Sequence, residues 1–175
     1  WGEAKPVHVS PATLRPRKWH GLDQRQQGWP AAVWMVASLK SAAAAGAASV
    51  TYFETCGERG VMSRHGEEVY PAWHALRALG GFAAGEMVWL ETGEALAVDG
   101  VALRLERKTR VLVGNFTAEA RRVKLACGGL GTLAAAESLD GSAPAAGVGE
   151  EHVELTLAPH GMAQIDFEMP APKEE

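Results

Sequence analysis

The period of hydrophobic and polar positions changes along the chain. In the first half, short apolar runs with β-branched residues alternate with helix-forming stretches, in the order PVHVS (6–10), AAVWMVASLKSAAAA (31–45), SVTYF (49–53) and AWHALRAL (72–79). A β-rich run without polar alternation, such as SVTYF, is typical of a parallel strand that is covered on both faces. The order strand, helix, strand, helix therefore predicts an α/β architecture with parallel strands.

The first predicted helix is apolar on nearly all sides. Pro30 suits its first turn, Gly46 supplies a stop signal, and Lys40 is its only charged residue. A helix of this kind must be buried, and two strands and two helices offer little surface to bury it. We therefore expect residues 1–83 to be the C-terminal portion of a larger (β/α)8 TIM barrel.

From residue 84 onward the period changes to two. VALRLE (101–106), HVELTL (152–157) and MAQIDFEM (162–169) alternate apolar and polar residues. Half-buried antiparallel strands have this pattern, and six to eight such strands between turn signals predict a β-sandwich over residues 84–170. Residues 171–175 are expected to be a disordered tail. The fold class expected is thus α/β plus all-β.

Composition and charge exclude several classes of function. The chain has 175 residues, is 47% hydrophobic and 22% charged, and carries a net charge of −4, which argues against a nucleic-acid partner. No apolar window is long enough to cross a membrane. The two cysteines favour a reducing compartment, so a cytoplasmic location is expected. Because the chain begins at Trp1 without methionine, a fragment or processed chain is expected.

In (β/α)8 barrels the active site lies in the loops after the C-terminal ends of the strands. The second predicted strand runs into Glu54, and its long loop holds Arg59 between Gly57 and Gly60. Glu54 is therefore the candidate catalytic residue and Arg59 a candidate substrate-binding residue. The simpler alternative is that Glu54 is a structural carboxylate that pairs with an arginine.

Further substrate-binding candidates lie in the same two loops. Ser10, Arg15, Arg17 and Trp19 follow the first strand, and His65 follows the second. Guanidinium groups suit carboxylates and sugar hydroxyls because they donate hydrogen bonds in pairs, and tryptophan can stack on a sugar ring. Each could equally be a solvated or packing residue. No metal-ligand spacing and no glycine-rich phosphate loop is present, so neither a metal nor a cofactor is predicted.

Several segments resemble one known family. HVSPATLRPR, ASLKSAAAAGAASVTYFET, GERGVM, VLVGNFTAEARRVKL and LAPHGMAQIDF are similar to the C-terminal part of the D-apionate lactonases, bacterial sugar-acid catabolic proteins. The resemblance implies a glycoside-hydrolase-like barrel followed by a β-sandwich, and hydrolysis of a five-membered sugar lactone. It also implies that an upstream barrel segment of the same protein completes the fold.

Lactone hydrolysis needs a base for water and donors for the developing oxyanion. Glu54 is expected to be the base or a carboxylate that binds substrate hydroxyls, and Arg15 and Arg59 are expected to be the donors. One alternative is a retaining glycosidase, although the first strand ends on Ser10 and Pro11 rather than on a glutamate. The other alternative is a non-catalytic carbohydrate-binding module.

Overall fold

The computed structural model describes residues 5–15, 21–142, 147–149 and 151–171. The first half comprises β1 (His8–Ala12), a 3₁₀ helix (Gln24–Gln27), α1 (Trp29–Ala44), β2 (Ser49–Tyr52), β3 (Glu54–Cys56), β4 (Gly60–Met62) and α2 (Pro71–Gly80). The second half comprises β5 (Glu86–Val88), β6 (Val98–Leu105), β7 (Lys108–Asn115), β8 (Arg121–Ala126), β9 (Thr132–Ser138), β10 (Gly147–Val148), β11 (His152–Leu157) and β12 (Met162–Glu168).

Both long helices begin and end where the sequence predicts. Each has a proline in its first turn, Pro30 in α1 and Pro71 in α2, where the missing N–H group costs no helical hydrogen bond. After α1 the backbone turns at Gly46, whose φ is 74°, a left-handed conformation that glycine adopts without steric cost. The predicted helix signals are therefore confirmed.

Strands β1 and β2 pair in parallel, with Val9 opposite Val50, and α1 connects them. Two predicted details are wrong. The first strand continues past Ser10 to Ala12, and the second is half-exposed along its length rather than fully buried. The reason is that, among the described residues, no third strand pairs with either outer edge of this sheet, so Val9 remains 37% exposed.

The second half is a β-sandwich, as predicted. One sheet has the strand order β5-β6-β7-β12-β9 and the other β10-β11-β8. Between the two sheets lies an apolar core to which β11 contributes Val153, Leu155 and Leu157, and β12 contributes Ile165 and Phe167. These are the residues that the period of two assigns to the inner faces of the two strands.

The outer face of the five-stranded sheet is buried as well, because the two helices pack on it. Helix α1 contacts β6, β7 and β12, and also α2. Val33 and Met35 of α1 share a core with Val101, Leu112 and Met162 of the sheet. The central strands are therefore covered on both faces. The alternation of apolar and polar residues in β6 predicted a strand buried on one face only, and this prediction is wrong.

One ion pair and one charge-assisted hydrogen bond fasten the helices to the sheet. Nζ of Lys40 lies 2.7 Å from Oδ1 of Asp99 on β6, so the only charge of α1 has a partner on the surface that buries the helix. Arg110 on β7 donates to both carboxylate oxygens of Asp166, each at 2.7 Å, and to the carbonyl of Ala78 in α2 at 3.0 Å. Charge-assisted bonds of this kind orient the helices more than an apolar contact alone would.

Close approach of α1 to the sheet depends on Gly114. A Cβ atom at this position would lie 2.7 Å and 2.9 Å from the two methyl groups of Val33. Val33 is β-branched and 1% exposed, so it has little freedom to move away. The absence of a side chain at Gly114 thus allows the helix to reach the sheet.

We expect Gly114→Ala to lower the free energy of unfolding by about 1–3 kcal/mol, because the new methyl group overlaps Val33. Without such an overlap, replacing glycine by alanine within a strand raises the free energy of unfolding by roughly 0.5–1 kcal/mol. A decrease would therefore show that the new methyl group overlaps Val33. Denaturant unfolding of the two single variants Gly114→Ala and Val33→Ala and of the double variant provides the measurement.

In the double variant the alanine at position 114 fills space that the smaller residue at position 33 vacates. The double variant should therefore be more stable than the sum of the two single changes predicts. Strictly additive effects would contradict the proposed contact.

Candidate active site

The loop after β2 brings Glu54 and Arg59 together, although five positions separate them in the sequence. The N–H group of Glu54 donates to the carbonyl of Arg59 at 3.2 Å, and Glu54 lies opposite Gly60 in the pairing of β3 with β4. Both side chains are exposed. The sequence prediction that glycines hold Arg59 near Glu54 is confirmed.

Glycine is required at Gly57 and at Gly60 for two different physical reasons. Gly57 has a φ of 100°, which a residue with a side chain rarely adopts. A Cβ atom on Gly60 would lie 2.8 Å from the carbonyl oxygen of Thr55 and 2.8 Å from the carbonyl carbon of Cys56. Gly57 therefore makes the turn, and Gly60 allows β4 to lie close beside β3, with which it pairs in parallel.

Phe53 separates Glu54 from the barrel-like strand. Its φ is 48°, an uncommon conformation for a bulky residue. The ring packs against Trp34 and Tyr52, with centroid separations of 6.3 Å and 6.0 Å, and this packing holds the backbone in place. Glu54 consequently begins a new short strand, which corrects the expectation that it ends the preceding one.

The loop after β1 also reaches the region of Glu54 and Arg59, where it contributes Asp23. This carboxylate caps the 3₁₀ helix by accepting from the N–H group of Arg25 at 3.0 Å. The guanidinium of Arg25 donates to both of its oxygens, at 3.0 Å and 2.7 Å, and Nε of Arg15 lies 3.2 Å from Oδ2. Asp23 is 7% exposed, so a nearly buried anion fixes the position of Arg15.

These contacts change the acidity of Asp23. Its hydrogen bonds with the Arg25 side chain, together with the charges of Arg25 and Arg15, outweigh the effect of burial and lower the pKa of this carboxyl from 3.8 to about 2. Asp23 is therefore an anion at neutral pH, and it serves as a structural counter-ion for the two arginines.

A small cavity of about 50 Å³ lies between the two loops. Its wall includes Glu54, Arg59, Arg15, Asp23 and Gln26. A volume of this size holds a few water molecules or one polar group of a ligand, but not a whole sugar ring.

A wider depression of about 730 Å³ adjoins the cavity, and Glu54 and Arg59 line both. Arg64 and Tyr70 belong to the wall of the wider depression only. We refer to the small cavity and the wider depression together as the cleft. Glu54 and Arg59 stand at the boundary, where a ring in the depression can extend one group into the cavity.

The structure brings together three of the residues that the sequence singles out: Glu54, Arg15 and Arg59 line the cavity. Ser10 and His65 are exposed and line neither part of the cleft, so their substrate-binding role stays a prediction. The remaining two predicted residues, Arg17 and Trp19, lie outside the described residues.

Asp23 and Gln26 are among the cavity-wall residues that the sequence does not single out. A local signal was present, because Asp followed three positions later by Gln resembles a helix N-terminal capping pattern. That pattern predicts a helix start, however, and does not indicate that the start lies beside Glu54. Their importance follows from the tertiary structure.

Neither metal coordination nor membrane insertion gains support from the described part of the chain. Within residues 5–15, 21–142, 147–149 and 151–171, no three His, Cys, Asp or Glu side chains are grouped so as to hold a metal ion. Of the helices in these ranges, none combines the length and the apolar character needed to cross a bilayer.

Two family models match the sequence. The model of the D-apionate lactonase TIM barrel domain matches residues 15–84, and that of the D-apionate lactonase C-terminal immunoglobulin-like domain matches residues 95–165. Among curated proteins, none matches the sequence. The two models confirm the resemblance drawn from the loop and strand motifs.

Solved structures share the fold at low sequence identity. A glycoside hydrolase family 30 subfamily 8 xylanase from Clostridium acetobutylicum superposes with a TM-score of 0.67 at 10% identity, over 94% of this chain and 43% of the xylanase. A family 30 endoxylanase from Clostridium papyrosolvens gives 0.68 at 11% identity, over 94% and 42%.

A conserved exported protein from Bacteroides fragilis gives a TM-score of 0.65 at 9% identity, over 94% of this chain and 39% of that protein. This chain therefore spans less than half the length of these similar structures. At such identities the likeness shows a shared fold and carries no information on substrate.

The pKa of Asp23 predicts how stability depends on pH. Since its pKa is lowered from 3.8 to about 2 in the folded protein, its contribution is complete above pH about 4 and is lost as the pH falls towards 2. We expect Asp23→Asn to be less stable than the wild type at pH 7, with a difference that shrinks as the pH approaches 2. Denaturant midpoints of both proteins at several pH values test this.

Glu67→Gln provides the matched control, because Glu67 is an exposed carboxylate outside the cleft. Its stability should follow that of the wild type at every pH. A difference between Asp23→Asn and wild type that stays constant from pH 7 to pH 2 would show that the charge of Asp23 is not what stabilises the loop.

Proposed function

The chain belongs to the D-apionate lactonase family, and on that premise we propose that it carries part of the active site of a hydrolase that opens a sugar-acid lactone such as D-apionolactone. The observation that supports this proposal is the meeting of Glu54, Arg15 and Arg59 in one cavity. A carboxylate that can accept a proton lies there beside two guanidinium groups that can hold an oxyanion.

In the proposed reaction Glu54, Arg15 and Arg59 have separate roles. Glu54 accepts a proton from a water molecule as the water oxygen bonds to the lactone carbonyl carbon. The carbonyl oxygen becomes an oxyanion, which the guanidinium of Arg15 stabilises. When the ring carbon–oxygen bond breaks, the departing ring oxygen takes the proton back from Glu54. The product hydroxy acid releases its carboxyl proton to solvent, and Arg59 pairs with the carboxylate.

Asp23 has a supporting part in this scheme. Its carboxylate holds the guanidinium of Arg15 at 3.2 Å, so Arg15 need not be ordered anew when the oxyanion forms. Electrostatic stabilisation of a transition state depends on such preorganisation. With Asp23 engaged by two arginines, Glu54 remains the carboxylate of the cavity wall that is available to a substrate.

The same assignment argues against a retaining glycosidase, which needs two available carboxyl groups about 5–5.5 Å apart. The residue of β1 that reaches the wall of the small cavity is Pro11, and the residue before it is Ser10 rather than a glutamate. A carbohydrate-binding module is also less well supported, because a sugar platform needs exposed aromatic rings. In the sandwich Trp89 is 64% exposed, whereas Phe167 is 1% exposed.

We further propose that upstream strands of the same protein complete the barrel around β1 and β2. Both strands have outer edges without a partner among the described residues. Val9 on β1 is 37% exposed, and Val7, just before the strand, is 60% exposed. Unpaired edges with exposed β-branched side chains favour the addition of strands. The completed barrel would supply the remaining walls of the cleft, and the wider depression would then bind the sugar ring.

Acid release from a panel of aldonolactones, including D-apionolactone, tests the proposed activity on the full-length gene product. We expect Glu54→Gln to lower kcat about 10²–10⁴-fold, the usual contribution of a general base. Arg15→Ala should lower kcat about 10²–10³-fold through loss of an oxyanion donor. Glu67→Gln, an exposed carboxylate outside the cleft, is the control and should leave turnover unchanged.

Turnover of both variants within a few fold of the wild type would show that the site is wrongly assigned. Release of sugar from aryl glycosides by the wild type, with no action on lactones, would favour the glycosidase. Binding of sugars without turnover of either substrate class would favour the binding module.

A further inference from the structure

Gln26 has a buried side-chain amide whose nitrogen lacks a partner. The residue is 6% exposed, and its Nε2 is shielded from solvent and makes no hydrogen bond to any described residue. A buried donor without an acceptor destabilises the folded state, since unfolding returns it to water. Such a group in a native structure calls for a physical explanation.

The three glutamines of the 3₁₀ helix differ in burial and in hydrogen bonding, and only Gln26 has a buried amide nitrogen without a partner. Gln24 is exposed to solvent. Nε2 of Gln27 donates to the carbonyl of Glu58 at 3.4 Å and to the hydroxyl of Tyr70 at 3.3 Å. Gln26 is the most buried of the three and the only one that lines the small cavity.

The backbone of Gln26 is held firmly in this position. Its N–H group donates to the carbonyl of Asp23 at 2.9 Å, and the side chain of Asp23 is fixed in turn by Arg25. The contacts that order the loop therefore also hold Gln26 in the wall of the small cavity, which Glu54 and Arg59 line as well.

We propose that Gln26 is a ligand-binding residue of the cleft, whose Nε2 donates a hydrogen bond to a hydroxyl or carbonyl oxygen of the bound sugar lactone or sugar acid. This inference rests on the proposed function, because it places the ligand in the cavity beside Glu54. The cavity of about 50 Å³ accommodates one such oxygen while the ring occupies the wider depression.

The chemistry of the donor limits what it can recognise. An amide N–H group pairs with an acceptor. The guanidinium groups of Arg15 and Arg59 add further donors to a wall that also holds the carboxylates of Asp23 and Glu54, so this wall favours a ligand rich in hydroxyl and carbonyl oxygens. A site that hydrogen-bonds a substrate oxygen discriminates strongly against an analogue that lacks it, because the buried donor is then left unpaired. Gln26 thereby contributes specificity for one oxygen of the sugar.

The test compares Gln26→Met with the wild type in two measurements on the full-length gene product. Methionine has a similar length and no donor. We expect the denaturant midpoint of the variant to equal or exceed that of the wild type, because an unsatisfied donor has been removed. Its dissociation constant for sugar lactones and aldonic acids should rise about tenfold, measured by calorimetry or by ligand-induced thermal stabilisation.

A series of ligands that each lack one hydroxyl group identifies the oxygen that Gln26 binds. For one member of the series, wild-type affinity should fall about tenfold while the affinity of Gln26→Met stays as it was for the parent sugar. Gln24→Met, the exposed neighbour in the same turn, is the control and should match the wild type in stability and affinity.

The outcomes separate this inference from the proposed function. A Gln26→Met protein that unfolds more readily than the wild type shows a structural glutamine and overturns the inference. Affinity unchanged for every member of the panel overturns it as well, as does a wild type that no sugar, lactone or sugar acid stabilises. A wild type that binds these ligands with the Gln26 dependence described, but hydrolyses no lactone, supports the inference and refutes the lactonase.

Discussion

The packing of helix α1 between α2 and the five-stranded sheet is the contact on which the rest of the structure depends. Its side chains are apolar on nearly all sides, so the helix is stable only where both neighbours cover it. Gly114 allows the close approach, and the ion pair of Lys40 with Asp99 matches the only helical charge to the sheet. One continuous core therefore joins the α/β portion to the sandwich.

This contact also determines where the cleft can form. The end of α1 leads directly into β2, and Trp34 on the same helix packs against Tyr52 and Phe53. Those aromatic contacts support the left-handed backbone of Phe53, which directs the chain away from the strand at Glu54. The position of the candidate base thus depends on a helix whose other side is buried against the sandwich.

The cleft is ordered from the other side by a single carboxylate. Asp23 caps a short helix, binds Arg25 in a paired arrangement and holds Arg15. The same turn that satisfies Asp23 leaves the amide of Gln26 buried and unpaired. The loop thus satisfies the carboxylate of Asp23 and leaves a donor unpaired three residues later, and a ligand oxygen in the cavity is the partner that we propose for it.

Local rules in the sequence determined the helices, the sandwich strands and the turn that brings Arg59 close to Glu54, because prolines, glycines and side-chain periods act over a few residues. Only the tertiary structure decided that the outer face of the sandwich is covered by helices and that Asp23 and Gln26 lie beside Glu54. Those contacts join residues that are distant in the chain. Local preferences do not specify which apolar face a helix will cover or which two loops will lie side by side.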